Sequence, residues 1–327
     1  MALTLNDLQI ESLIWKQLQL FPTGFIGENA SVFLNILLSL CKDRLDGDTY
    51  ALAIPNLKAL TTGGSYRGAQ TRAITVEDTG DEAKWSKSEL DATVTVSERD
   101  LENTNTNHSI ISIAKVKAVQ LKDRVNTLVS NQIFGTKSGE NVEGFGDMLS
   151  LSSTYGQLVV ATWANWIAGV VNTTTTTISN ANTIFKVLLS PLTDGEDSPD
   201  LIVARQSAHA KLMGTVSALT DFISVQDFGA KGGVLIGTSK IARYYGRPVI
   251  IDQHVSGSDG GTQDNNILAL NTKYLKIAVA PTRDFRIDRH EPLPTSHSVT
   301  YQANLAWAFG CNNRKRQGGC FNIDTDL

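Results

Sequence analysis

The side chains of this chain best able to do chemistry are its five histidines, its three cysteines and a lysine that closes a glycine-bearing stretch. That stretch, Gly233-Val-Leu-Ile-Gly237-Thr-Ser-Lys240, has glycines and a lysine but not a phosphate loop's order. Such a loop needs Gly-Lys-Ser/Thr in sequence, so that the lysine reaches the outer phosphates and the hydroxyl binds magnesium. Here the lysine comes last. His108, His209, His254, His290 and His297 form neither His-x-x-x-His nor His-Glu-x-x-His. Asp252 and His254, two apart at a strand edge, share a face, but a metal needs further ligands. Asp284, Asp288, His290 and Glu291 near a proline-bearing turn read as surface charge. No Gly-x-Ser-x-Gly elbow occurs, and no cysteine has an obvious base beside it. No catalytic residue, cofactor or metal ligand is assigned, and the chain is not expected to be an enzyme.

Cys41, Cys311 and Cys320 make neither a disulfide framework nor a metal pattern. Cys311 and Cys320 flank a basic turn and could face each other across a hairpin, but free thiols in a reducing compartment are the expectation. Arg314-Lys315-Arg316, within Asn312 to Gly319, is the dense basic cluster. It fits a solvated turn, or a contact with phosphate or with an acidic patch on a neighbouring subunit.

The elements around these residues come from periodicity. Leu5, Leu8, Ile10, Leu13, Ile14 and Leu18 have helical spacing, and a second helix is expected over about 31–44. Residues 1–60 offer little independent core and read as an arm that packs on something else. From Thr61 to Leu101 two β-prone stretches, Ser65 to Glu77 and Ala92 to Val96, flank a polar tip at 78–88 that carries Lys84, Trp85 and Lys87. A hairpin of that kind has too little core to stand alone in water. Residues 109–134 keep the 3.6-residue period, for a helix about 39 Å long at about 1.5 Å per residue. Its exposed side, with Lys115, Lys117, Lys122 and Arg124, is net basic. Glycines 135, 139, 144 and 146 follow. Buried strands are expected at 200–204, 247–252, 267–270 and 275–279, a short helix at 207–214, and alternating strands from Ser298 onward. No long repeat occurs, and helices and strands mix without βαβ order, which gives an α+β fold.

Charge is nearly balanced, 29 Lys+Arg against 33 Asp+Glu for a net −4, the wrong sign for gripping nucleic acid over a whole surface. Charged residues make up 19%, below the usual quarter or so, and Ser, Thr and Asn are abundant. Few charges and many small polar groups suit burial against neighbours. No apolar run approaches the roughly 20 residues of a membrane span, and the start, Met1 to Asn6, lacks a secretory pattern. No membrane association and synthesis in the cytoplasm are expected.

Three stretches carry a family resemblance. They are Val96-Ser-Glu-Arg-Asp-Leu101, the glycine-rich Phe134 to Gly139 with Val142 to Gly146, and the ending from Thr300 to Gly319 with its basic turn. Arg243 to Asp252 adds a turn-then-strand pattern. In this order they resemble the major capsid proteins of tailed bacteriophages, the Hong Kong 97-like fold. The resemblance implies an N-terminal arm (1–60) and an extended β-hairpin loop, or E-loop (61–100). It implies a peripheral domain (101–145 and 295–327) with a spine helix (109–134), and an axial domain (146–294). It implies self-assembly into pentamers and hexamers of an icosahedral head around double-stranded DNA, held without sequence-specific contacts. The subunit would be made in the bacterial host cytoplasm and end in the virion, with a portal as a partner and a decoration protein as an optional one. Because the arm starts at once, with no acidic scaffolding segment before it, a separate scaffolding protein is expected. Intersubunit contacts would fall on Lys84, Trp85, Lys87, Arg314, Lys315 and Arg316. An encapsulin-like nanocompartment shell is the alternative, and a two-domain hydrolase the rival from another class.

Overall fold

A computed structural model describes residues 32–55, 57, 80–97, 107–151, 154–172, 176–177, 188–195, 197–215, 220–223, 241–244, 247–255, 266–290, 298–321 and 323–324. The first expected helix, the whole stretch 61–77, the glycine-bearing stretch 233–240 and the loop 256–265 lie outside these residues.

Two sheets organise the described residues. The first contains β1 (Lys42–Arg44), β4 (Ser88–Ser97), β12 (Leu275–Val279), β13 (Arg286–His290) and β14 (Ser298–Cys311). β14 is its axis. β4 runs antiparallel along one side of it, from Ser298↔Ser97 to Trp307↔Ser88. β13 and β12 follow one another along the other side, both antiparallel, and β1 adds to β12 in parallel. The burial of β14 changes along its length. Tyr301 and Ala303 point inward while Gln302 and Asn304 are partly exposed, and from Leu305 to Cys311 every residue is buried. One end of the strand therefore lines a half-solvated sheet and the other lies inside the molecule.

The second sheet has the order β5 (Val170–Asn172), β15 (Gly318–Cys320), β11 (Ile267–Leu270), β7 (Leu201–Ala204), β10 (Arg247–Ile251), β9 (Ile241–Tyr244) and β8 (Thr220–Ile223). β7 and β11 are buried throughout, so both faces are covered. Leu201, Val203, Leu268 and Leu270 on one face join the main core; Ile202, Ala204, Ile267 and Ala269 on the other join a second, smaller core with Leu188, Leu192 and Ala208. The period of two along a strand produces this division. Two further pairs are β2 (Thr49–Ile54) with β3 (Asp81–Ser86), and β6 (Thr176–Thr177) with β16 (Ile323–Asp324).

Helices among the described residues include α1 (Val32–Leu40), α2 (Asn107–Phe134), the short α3 (Phe145–Met148) and α4 (Gln206–Thr215). The long helix begins two residues before the expected start and ends where expected. α1 is shorter than expected: the chain turns at Cys41 and becomes strand β1. Phe33, Phe134, Phe145 and Phe309 join both of these helices, α3 and β14, with successive ring centroids 5.2 to 5.6 Å apart. The glycine-rich junction lets the chain double back. Gly144 lies so close to the carbonyls of Gln132, Ile133 and Gly135 that a Cβ has no room.

The structure corrects several expectations. The arm's described part, from Val32 to Ile54, is built into the chain's own core. Residues 92–96, expected to pair with 65–77, belong to β4 beside β14. Residues 81–86, expected in a polar tip, form β3, antiparallel to β2. Sheet membership also crosses the boundary expected at 294: β12 and β13 pair with β14, while β15, near the C-terminus, enters the second sheet. Cys311 and Cys320 do not face each other, because they belong to different sheets. All three thiols are buried and free of disulfides.

Candidate functional site

The strand β3 alternates Glu82 out, Ala83 in, Lys84 out, Trp85 in, and β4 continues the alternation after a break at Lys87. That period sends the Trp85 indole inward, where it is 1% exposed. Its socket is shaped by two glycines. A Cβ on Gly156 or on Gly310 would stand 2.9 Å from the indole ring. Gly156 also has φ +58°, the left-handed region glycine adopts without strain. The Gly156 N–H donates to Glu143 Oε2 (2.7 Å), and its carbonyl accepts the Lys84 N–H (2.9 Å).

From Trp85 a line of rings runs through the molecule. Tyr50 on β2 lies 6.2 Å from Trp85, Tyr155 lies 5.5 Å away edge-on, and Trp166 lies 6.1 Å beyond Tyr155. Arg314 closes the line, its guanidinium carbon 5.1 Å from the Tyr155 ring centre and 5.8 Å from that of Trp166. Stacking a cation on aromatic faces is favourable and stronger when desolvated. The side chain of Arg314 is 0% exposed. Nε donates to Met148 O (2.8 Å), Nη1 to Trp166 O (3.1 Å), and Nη2 to Asp147 O (3.3 Å) and Ser150 O (2.6 Å). The planar fork ties the loop after α3 to the C-terminal turn. Burial pulls the Arg314 pKa below its ordinary value and pushes that of Tyr155 well above its own, so the phenol stays neutral.

The sequence-derived residues therefore divide. Trp85 and Arg314 are corrected from surface contacts to internal anchors: both are buried, and their polar or aromatic faces are taken up within the chain. Lys84 is exposed and pairs with Glu82 at 3.1 Å. Lys87 is held by Asp48 (2.8 Å) and Glu89 (3.1 Å), and Glu89 also pairs with Arg283. The hydrogen bond to Lys87 is the main cause that lowers the carboxyl pKa of both Asp48 and Glu89, and those bonds raise the Lys87 pKa. This ionic chain latches β2, β4 and the turn at 281–283. Lys315 is exposed, and Arg316 pairs with Asp194. The two candidate clusters, far apart in sequence, are thus joined through Tyr155 and Trp166. Sequence reading missed these two rings, Gly156, Gly310 and Gln317. Gln317 is buried and bonds both the N–H and the carbonyl of Asn271. The clustering of Trp163, Trp166 and Tyr155 near glycine was the available signal.

Asp252 and His254 form a turn and not a ligand pair: the Asp252 carboxylate accepts the His254 N–H (2.9 Å), and His254 Nδ1 lies 2.9 Å from Asn131 Oδ1 on α2. Among the described residues no group of three or more His, Cys, Asp or Glu side chains could hold a metal, and no helix is long and apolar enough to cross a membrane.

No protein-family model matches the sequence, and no curated protein matches it. Solved structures do. The cyanophage A-1(L) capsid matches with a TM-score of 0.59 at 13% identity, over 91% of this chain and 94% of that one. The capsid of a native GTA particle, computed with C5 symmetry, matches at 0.56 and 17% identity, over 88% and 89%. The holo-SrpI encapsulin complex from Synechococcus elongatus PCC 7942 matches at 0.55 and 11% identity, over 90% and 89%. At these identities the likeness is one of fold, end to end in both partners. The chain has the mixed α+β fold of phage capsid subunits, a fold shared with an encapsulin shell.

Proposed function

We propose that this chain is the major capsid protein of a tailed bacteriophage. Pentamers and hexamers of it would build an icosahedral head around double-stranded DNA. The observation that carries this reading is the end-to-end correspondence with capsid chains, about nine-tenths of each partner, one of them from a capsid computed with C5 symmetry. In this reading α2 is the spine helix, the sheet around β14 belongs to the peripheral domain and the seven-stranded sheet to the axial domain. The hairpin based on β2 and β3 is the E-loop, directed at an adjacent subunit. A single protein placed in closed rings makes heterologous contacts. Lys84 and Lys315, exposed at opposite ends of the ring column, are offered to neighbours. A separate scaffolding protein and a portal complete the particle, with a decoration protein as an optional addition, and the near-neutral charge suits a wall that touches DNA without holding it.

The encapsulin correspondence favours a second reading, a compartment shell that encloses protein cargo. Neighbouring genes for a portal and a terminase distinguish the two. Size-exclusion chromatography of the purified chain tests both against an enzyme: a shell subunit elutes as rings or megadalton particles, an enzyme as a small oligomer.

A further inference from the structure

The hairpin base and the C-terminal turn are mechanically one object. β2 and β3 form a two-stranded sheet, which is marginal by itself in water. The Trp85 indole fixes it to the body together with the Lys84 N–H bond to the Gly156 carbonyl and the Lys87 latch, and the socket of that indole is supplied by Tyr155, Gly156 and Gly310. The loop carrying Tyr155 and Gly156 is in turn gathered by Arg314, whose bonds reach the carbonyls of Asp147, Met148, Ser150 and Trp166 and stop short of the hairpin. During synthesis residues 49–86 leave the ribosome long before 310–314, and chains fold from the N-terminal side as they emerge. Until the last strands arrive the hairpin has no socket.

We propose that Arg314 is a positioning residue that makes hairpin docking conditional on synthesis having passed residue 314, so that chains truncated before it do not present the hairpin to neighbours. The link from docking to assembly rests on the shell reading above; the link from Arg314 to the hairpin does not.

Hydrogen exchange on the full-length chain tests it, because protection reports local opening element by element. In Arg314→Lys the ammonium cannot reproduce the planar fork. Exchange should quicken at least tenfold at 147–150 and, at a distance, at 81–88. Tyr155→Leu removes the ring between Arg314 and Trp85 but leaves the carbonyl bonds. It should quicken 81–88 by a similar factor and leave 147–150 at the wild-type rate; if Arg314→Lys does not fold, Arg314→Gln, whose planar amide keeps part of the carbonyl bonding, carries the same two expectations in its place. Lys315→Ala, next door and exposed, should change neither segment. Particle yield should fall severalfold in both socket variants. Wild-type exchange at 81–88 in the socket variants overturns the coupling. Normal particle yield despite a loosened hairpin overturns the link to assembly. A wild-type chain that forms neither rings nor particles, with and without a scaffolding protein, contradicts the shell reading and leaves the exchange result standing.

Discussion

The indole of Trp85 rests on the backbone of Gly310: a Cβ at position 310 would stand 2.9 Å from Cε3 and 3.0 Å from Cδ2. These residues lie on different strands, one at the hairpin base and one near the end of the long strand, and the contact requires that one of them have no side chain. Gly310→Ala should therefore destabilise by about 1–3 kcal/mol, the usual cost of overpacking. Gly156→Ala should cost more, because left-handed strain, about 1–2 kcal/mol, adds to the same overlap. Trp85→Ala, which empties the socket, should cost about 3–5 kcal/mol. Denaturant titration of the three variants checks the order; equal effects at Gly310 and Gly156 would count against the socket geometry.

Asn126 makes the opposite prediction. It lies on the buried face of α2, and neither its amide nitrogen nor its amide oxygen has a hydrogen-bond partner. A buried amide left unpaired costs about 1–3 kcal/mol. Asn126→Leu, close in volume, should raise the thermal midpoint by several degrees; an unchanged or lower midpoint places an unseen partner at that amide.

The latch around Lys87 gives a pH dependence with a definite sign. Asp48 and Glu89 have carboxyl pKa values below their ordinary 3.8 and 4.5. Their contribution is therefore full above those ordinary values and is lost as pH falls through the lowered ones. Lys87 is raised above 10.5, so its contribution is full below that value and is lost as pH rises through the raised one. The latch holds across the whole middle range and opens at the acid extreme. Lys87→Met should lower neutral stability slightly, as exposed pairs contribute little. By the same small amount it should flatten the acid limb of a stability-versus-pH curve as pH falls below the ordinary carboxyl values of 3.8 and 4.5. An acid limb identical to wild type contradicts the latch.

Burial pushes the thiols of Cys41 and Cys311 up to about 12. A thiol that stays protonated at neutral pH is a poor nucleophile. A thiol-specific disulfide reagent should react with neither in the native chain and with all three cysteines after denaturation. Rapid native reaction at Cys41 or Cys311 contradicts their burial.

Much of this molecule was legible in the sequence where one element decides its own form. The period through Leu121, Val125, Val129 and Ile133 specifies the long helix, and the apolar runs at 201–204 and 267–270 specify strands covered on both faces. Legibility ended where a residue's role depends on distant parts of the chain. Trp85 between Lys84 and Lys87 reads as an exposed tip, because the charges on either side are visible and the glycines that receive the indole are at 156 and 310. Arg314 reads like Lys315 and Arg316, since nothing local shows that four backbone carbonyls converge on one position and not the next. Residues 81–86 were placed in a tip for a related reason: their charges mask the alternation of a half-buried strand, and only the fold chooses 49–54 as their partner.

The most direct measurement is electron microscopy of the purified full-length chain, with and without a co-expressed scaffolding protein. The shell assignment predicts closed particles or rings of five and six subunits. A uniform population of compact monomers or small oligomers under both conditions would contradict it.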